Sequence, residues 1–573
     1  TPHKGRQVLL GKWSESSHSG FALVIDKYGA LALELGNGDA TATSLSSGVS
    51  LIERKWCFVA ATFNAETGIA RIYQESTCNN PLTDTDSERE FNVGHRPIGY
   101  NDAPFMFAPG YQGEKDGRII TAGHYNGKID SPRVASRALD PAEMQALKTT
   151  PIDAELMHDV LGAWDFSANI MGTTTTDISP NRRHGRIVNL PARGMTGWNW
   201  TGEEMCWRHA PEQYGAIHFH DDDVYDAGWQ IDFSLTVPKT LRSGLYAARL
   251  RCGKTREEED YVPFVVLPPR GKTTAKICFL LPMGSYMAYA NENMVNDAQI
   301  GQLLGGRLVE HNRYDEYRGI HREYGSSCYD THSDGSGVCY SSRLRPILNM
   351  RPKYRSWLGA EGSSLWQFNA DTHITDWLEA MHYDYDVITD EELHKQGVAA
   401  IEQYKVVLSG SHPEYHSKEM YDAMDAYQQR GGRLMYLGAN GWYWRIAYHN
   451  ELPGVMEVRR AEGGIRAWEA RTGEYYHSFT GEYGGLWRRN GRAPQKIVGV
   501  GFTAQGFDVS SYYVQRPDSR KREVRWIMAG IDKDERIGDF GLIGGGAAGL
   551  ELDRVDPLQG TPPGTYLLAQ SED

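Results

Sequence analysis

Short apolar or alternating runs, broken by Gly, Asp and Asn, dominate the first half of the chain. Phe21–Ile25, Ala30–Leu35, Trp56–Phe63 and Ile69–Gln74 have the length and composition of strands, and Thr67-Gly68 supplies the turn between the last two. The β pattern continues through Leu161–Phe166, Trp229–Val237 and Ser243–Cys252, which alternate, and Tyr261–Leu267, which reads as a buried strand. Leu267-Pro-Pro-Arg-Gly271 is a Pro-rich hinge, and the grammar changes after it. Lys276–Leu281 is an apolar strand followed by a helical stretch around Ala290–Leu303. Thr375–His382 is helical, Tyr385–Ile388 a strand and Asp390–Glu402 a helix. Strand Tyr404–Leu408, helix Lys418–Gln429, the Gly431-Gly432 stop and strand Leu434–Leu437 follow. Strands alternating with helices of about ten residues predict a parallel sheet with helices on both faces.

The expected organisation is multidomain, since 573 residues exceed what a single core fills. Residues 1–150 are expected to form a β-sandwich, 151–270 a second β-rich domain, and 271–573 an α/β domain. The phrases Trp56–Phe63, Ala70–Tyr73, Tyr125–Asp130 and Leu139–Met144 resemble laminin-G/concanavalin-like sandwiches, in which a final strand leads into a short helix. Asp140 reads as the N-cap of that helix and Pro141 as its first residue. The C-terminal pattern resembles flavodoxin-like or class I amidotransferase-like domains, whose ligands sit beyond the carboxyl ends of the strands.

Composition narrows the function classes. The 62 Gly, 32 Tyr and 15 Trp favour loop-rich β structure with aromatic cores. A net charge of −14 argues against nucleic acid or an anionic membrane as a general partner. No apolar run is long enough to span a bilayer, and no signal peptide is evident. The seven cysteines are scattered and lack CxxC spacing, which favours a reducing cytoplasm over a disulfide framework.

Candidate chemistry gathers at predicted strand ends. Strand Tyr404–Leu408 runs into Ser409-Gly-Ser-His-Pro-Glu414, and Leu434–Leu437 runs into Gly438-Ala-Asn-Gly441, so His412, Glu414 and Asn440 are placed to converge on one pocket. The first strand of the domain leads to Tyr286 and Tyr289, three residues apart and able to share a helical face. In the polar loop after Tyr324, Asp330, His332 and Asp334 are spaced by two, yet they lack the closing Glu of a calcium loop. Gly541–Gly549 is a flexible Gly-rich loop that delivers Glu551; without a βαβ continuation it is no dinucleotide site. Ser409 or Ser411 with His412 gives a rival nucleophilic reading, although His-Pro after Ser411 fits a nucleophile elbow badly. A carbohydrate-binding surface protein built on the sandwich is the non-catalytic rival.

Several long phrases, in order, resemble the large (catalytic) subunit of N,N-dimethylformamidases. They include His124–Asp130, Arg193–Trp200, Pro211–Ala216, Ser285–Glu292, Ser411–Tyr415 and Gly544–Arg554. The resemblance implies one non-haem mononuclear iron, expected as Fe(III), on Tyr289, Tyr329 and Glu414, with Tyr286 as the alternative to Tyr289. It also implies Glu551 as general base and His412 and Asn440 as positioning groups in the hydrolysis of a small amide, N,N-dimethylformamide, to formate and dimethylamine. A small helical partner subunit in an α2β2 assembly is implied too. Phenolate and carboxylate are hard donors that suit a ferric ion. Arg460 stands where the family pattern has Lys.

Overall fold

In the computed structural model the chain forms two compact units, Thr1–Asp223 with His332–Gly335, and Val224–Thr331 with Ser336–Asp573. The structure describes residues 2 and 4–571, apart from 40–41, 79–83, 149–150, 256–257, 298–310, 357–365, 462, 464–465, 507–509, 541–544 and 550.

The first unit is β throughout, apart from short helices. Its largest sheet runs Arg118–Ala122, Gly110–Lys115, Gln7–Ser14, Ser19–Ile25, Ala30–Asn37, Ala42–Ser50, with Met106–Phe107 against Gln7–Ser14. An antiparallel sheet of Cys57–Asn64, Ile69–Ser76 and Ser87–Asn92 packs on it, since Leu23, Leu31 and Leu33 share one core with Ala70 and Ile72. Alternate side chains of paired sheets interlock in this way to make a sandwich. Asp140 caps the helix Pro141–Ala146 in a capping box with Glu143, as its spacing predicts. A smaller sheet places Ala216–Phe219 between Gly127–Asp130 and Ala192–Met195.

The second unit is organised by a parallel sheet in the order Tyr385–Thr389, Ile277–Leu281, Val406–Ser409, Arg433–Tyr436. The central strand is apolar at every position because both its faces are covered. Cys278 and Leu280 pack with Leu393, Met420 and Met424 of the helices Asp390–Gln396 and Lys418–Gln429. Phe279 and Leu281 pack on the opposite side with Phe368 and Leu378 of the helix Phe368–Ala380. Each large side chain so buried removes roughly 1.5–3 kcal/mol of apolar surface from water. A mixed sheet of Tyr340–Ser342, Val455–Val458, Trp444–Tyr448 and Tyr415–His416 stands beside this core. Among the described residues no helix is long and apolar enough to cross a membrane.

Several expectations change, among them the helix expected at Thr375–His382, which spans Phe368–Ala380. The helix from Asp390 ends at Gln396 and continues only as the 3-10 turn Gly397–Ala400, because Gly397 takes φ 62° and breaks the α register. The stretch around Ala290–Leu303 appears as the short helices Met283–Ala288 and Met294–Asp297, and its later part lies outside the described residues. Trp229–Val237 alternates as a strand should, yet it pairs with nothing among the described residues. Trp229, Ile231, Phe233 and Leu235 are consequently exposed, since alternation buries a strand only when a sheet supplies its other half.

Asp390, at the start of its helix, is buried and accepts the Gly284 amide at 2.9 Å. Burial raises its carboxyl to about 8. Between the unfolded value of about 3.9 and that figure, the unfolded chain has released a proton that the folded chain keeps, so stability falls as pH rises through this window. Asp390→Asn removes the penalty. Its melting temperature relative to the parent should rise more at about pH 8 than at about pH 5.5, and a pH-independent difference would refute the assignment.

Candidate active site

The carboxyl ends of three adjacent parallel strands supply the site. Ile277–Leu281 runs through Pro282 into the helix Met283–Ala288, and Tyr289 caps the end of that helix. Its amide bonds the Ser285 carbonyl at 3.1 Å, and its own carbonyl accepts Asn349 Nδ2 at 2.7 Å. Val406–Ser409 runs into the loop that carries His412 and Glu414. The Glu414 amide donates to Ser285 Oγ at 2.9 Å, while its carbonyl accepts the amides of Tyr443 and Trp444 at 3.1 and 2.9 Å. Arg433–Tyr436 leads to a tight turn in which Asn440 takes φ 56°, a conformation that Asn tolerates better than most residues.

Tyr329 comes from a separate turn. Asp330 accepts both the amide and the hydroxyl of Ser327 at 2.8 Å and the Asn293 amide at 3.0 Å, and Cys328 bonds the Ala288 carbonyl at 2.9 Å. That ties Tyr329 to the end of the Tyr289 helix, and the two rings stack at 4.0 Å.

The side-chain oxygens meet closely. Tyr329 donates to the Tyr289 hydroxyl at 2.5 Å, and each phenol lies 3.0 Å from Glu414 Oε2. Tyr415, next to Glu414 in sequence, donates to the Tyr329 hydroxyl at 2.6 Å. His412 Nε2 is 3.1 Å from Glu414 Oε2, and its Nδ1 is 3.6 Å from Glu551 Oε2. Asn440 Nδ2 bridges the two carboxylates, 3.2 Å from Glu414 and 3.1 Å from Glu551. All six predicted residues thus stand together. Tyr286 does not join them, because its hydroxyl donates to Asp371 instead.

Burial pushes the phenols of Tyr289 and Tyr329 well above their ordinary range, and the charge of Glu414 adds to it. Burial also pulls His412 down, but Glu551 and Glu414 outweigh it and raise the imidazole to about 9. Glu551 is raised by burial to about 7, against the pull of His412. An imidazolium held between two carboxylates, beside one carboxyl that titrates near neutrality, is an arrangement able to exchange protons.

Two residues that the sequence reading passed over or noted only as a departure complete the cluster. Tyr415 was visible inside the Ser-His-Pro-Glu-Tyr phrase. Arg460 is fully buried, donates to the Tyr415 hydroxyl at 2.8 Å and to the Cys328 carbonyl at 3.0 Å, and lies 4.4 Å from the Tyr329 ring and 4.8 Å from that of Trp444. Its charge is therefore held by two acceptors and by aromatic faces.

Glu551 departs from its expected setting. It opens the strand Glu551–Arg554, paired antiparallel with Gly501–Gln505, and a strand fixes a carboxylate more firmly than a flexible loop would. Of the Gly-rich run before it, residues 541–544 and 550 lie outside the described residues. The Asp330, His332 and Asp334 triplet is likewise split, for Asp330 braces the Tyr329 turn while His332–Gly335 belongs to the first unit. As for the serine reading, both His412 nitrogens face carboxylates, and neither Ser409 nor Ser411 bonds to His412 among the described residues.

A parallel sheet bearing tyrosine, glutamate and histidine at its strand ends defines a class of site, and residues 192–573 match the family model described as N,N-dimethylformamidase beta subunit-like, C-terminal. The chain belongs to this family. The N,N-dimethylformamidase beta subunit of Paracoccus aminophilus is 44% identical over 587 residues, covering 100% of this chain and 75% of the relative. The beta subunit from Alcaligenes sp is 43% identical over 588 residues with the same coverage. These names correct the expected designation: the relatives are beta subunits, where the large subunit was expected.

Arg460→Met should lower the urea-unfolding free energy by about 2 kcal/mol, because the buried Tyr415 hydroxyl loses its donor while the Cys328 carbonyl keeps Trp468 Nε1 at 3.0 Å. Arg460→Lys should recover part of that loss, keeping the charge but not the planar fork. Equal stability of Arg460→Met and the parent would contradict this account.

Proposed function

We propose that this chain hydrolyses a small N-substituted amide, of the N,N-dimethylformamide type, at the cluster of Tyr289, Tyr329 and Glu414. The observation that carries the reading is the convergence of two phenol oxygens and a carboxylate oxygen within 3.0 Å of one another in a buried pocket. Such a set fits a hard trivalent cation by donor chemistry, and three anionic oxygens would neutralise its charge. Burial keeps both phenols protonated unless a strong local cation opposes it, and Arg460 touches the cluster at the Tyr415 hydroxyl and the ring face of Tyr329. We therefore assign Tyr289, Tyr329 and Glu414 as the residues that would hold a single iron, as Fe(III). Bound there, iron would supply Lewis acidity to an amide carbonyl or a water.

The chain's own residues do the rest. Glu551, titrating near neutrality at the pocket wall, takes a proton from the attacking water and returns one to the departing amine nitrogen, which leaves poorly as an anion. His412 and the Asn440 amide, both placed between Glu414 and Glu551, donate to the oxygen that gains charge; one such donor is worth about 3 kcal/mol in the transition state. Trp366, edge-on to Tyr289 and tilted against His412, supplies an apolar wall suited to N-methyl groups. Formate and dimethylamine are the products of this reading.

The same proposal takes the parallel-sheet domain as class I amidotransferase-like and the first sandwich as laminin-G-like. The relatives' designation as subunits supports a multi-subunit enzyme, for which we propose a small helical partner in an α2β2 assembly in the cytoplasm.

Metal analysis by ICP-MS with amide-hydrolysis assays tests the reading. Tyr329→Phe and Glu414→Ala should each lose iron and activity together, whereas Glu551→Gln should keep iron and lose turnover by on the order of a hundredfold or more. Unchanged iron content in the first two variants would defeat the ligand assignment.

A further inference from the structure

A second group of metal-binding side chains lies wholly within the first unit and takes no part in the chemistry above. His218 sits in the central strand Ala216–Phe219, and His220 follows it directly. The turn His332–Gly335, closed by the Gly335 amide on the His332 carbonyl at 2.8 Å, brings His332 and Asp334 to the same place. His218 Nε2 is 2.7 Å from Asp334 Oδ2, and the rings of His218 and His220 lie 4.2 Å apart at 42°. His220 is stacked on His332 at 3.7 Å and 5°. One ligand atom from each of His218, His220 and Asp334 falls within 4.8 Å of the others, and the same holds for His220, Asp223 and His332.

The two triads are not equivalent. Lone pairs of imidazole nitrogens lie in the ring plane, so the cofacial rings of His220 and His332 direct theirs side by side, not toward one point. The tilted pair His218 and His220 can converge. His332 is further engaged through Nδ1 by Asp222 at 2.6 Å. Asp223 brackets His220 Nδ1 with both carboxylate oxygens at 3.1 Å, the carboxylate–imidazole pairing that orients metal-bound histidines.

We propose that His218, His220 and Asp334 form a second metal site, which takes one borderline divalent transition ion of the zinc class, with Asp223 as the residue that orients His220. Two imidazoles and one carboxylate are the three-ligand set that zinc accepts while keeping a position open, and nitrogen donors disfavour calcium or magnesium. The proposal is independent of the iron reading, since it shares no residue with it.

The test uses the full chain, stripped with a chelator and titrated with Co(II), whose visible ligand-field bands report coordination by nitrogen and oxygen. One Co(II) per chain is expected at this site in the parent, and it should persist in Tyr329→Phe whether or not that variant has lost iron. His218→Ala and His220→Ala should each weaken Co(II) binding by on the order of a hundredfold, Asp223→Asn by about tenfold, and His332→Ala by about threefold at most. Should the histidine variants fail to fold by circular dichroism, the near-isosteric Asp334→Asn decides, and it should weaken binding by on the order of a hundredfold as well. Excess zinc should bleach the bands. A parent and Tyr329→Phe that show no Co(II) bands, or unchanged affinity in a folded His220→Ala or in Asp334→Asn, would overturn the proposal and leave the cluster a hydrogen-bonded clasp for the His332–Gly335 turn.

Discussion

Crowding several ionisable oxygens into a largely buried space is the constraint around which the second unit is organised. Tyr289, Tyr329, Tyr415 and Glu414 place their oxygens 2.5–3.0 Å apart, and each of these side chains is largely or fully buried. Oxygens at that distance repel unless protons or cations lie between them, and burial magnifies whatever imbalance remains. The surrounding residues answer this demand. Arg460 brings a permanent positive charge, held by the Tyr415 hydroxyl, the Cys328 carbonyl and several aromatic rings. Ser285 and Asp330 contribute no charge to a reacting atom, yet each fixes the backbone beneath one of the oxygen donors.

Topology explains how residues more than a hundred positions apart meet so closely. In a parallel sheet every strand delivers its following loop to the same edge, and three neighbouring strands here deliver Tyr289, the His412–Glu414 loop and Asn440. Packing on both faces then leaves that edge as the place where polar side chains can gather without cost to the core. The backbone absorbs some of the strain. Asn440 and Trp442 both adopt left-handed φ, and Trp442 is compensated by stacking on His416 at 3.7 Å while its amide bonds the Pro413 carbonyl at 3.0 Å.

Much of this was legible from residue order, and the exceptions have physical causes. Lys418–Gln429 could be read to the residue, with the Gly431-Gly432 stop beyond its end, and Ser417 proves to be its N-cap. The convergence of His412, Glu414 and Asn440 followed from strand ends alone. The role of Tyr329 did not, because its position depends on Asp330 folding the turn back onto Ser327 and Asn293, a long-range arrangement that no periodicity encodes. The resemblance put Tyr289 ahead of Tyr286 without a geometric reason, since residues three apart can share a helical face; the reason is that Tyr289 reaches Glu414 whereas Tyr286 donates to Asp371. Trp229–Val237 marks the opposite limit, where periodicity describes a strand's faces but cannot supply its neighbour.

The chain thus separates two kinds of donor within a few residues of sequence. Tyr329 presents a hard phenol oxygen, and His332 and Asp334, three and five positions later, enter a cluster rich in imidazole nitrogen. Under the two proposals, affinity alone would not sort metals between the sites, because most first-row ions follow one order of preference on any mixed set of ligands. Donor type can. Oxygen donors buried with Arg460 nearby favour an ion of high charge that can take the place of phenol protons, whereas neutral imidazoles favour a softer ion of lower charge. Asp330 stands close to the division: its hydrogen bonds brace the Tyr329 turn within the second unit, and His332–Gly335, two residues on, belong to the first. One buried carboxylate thereby braces the turn that carries Tyr329, just before the chain reaches the imidazole-rich cluster.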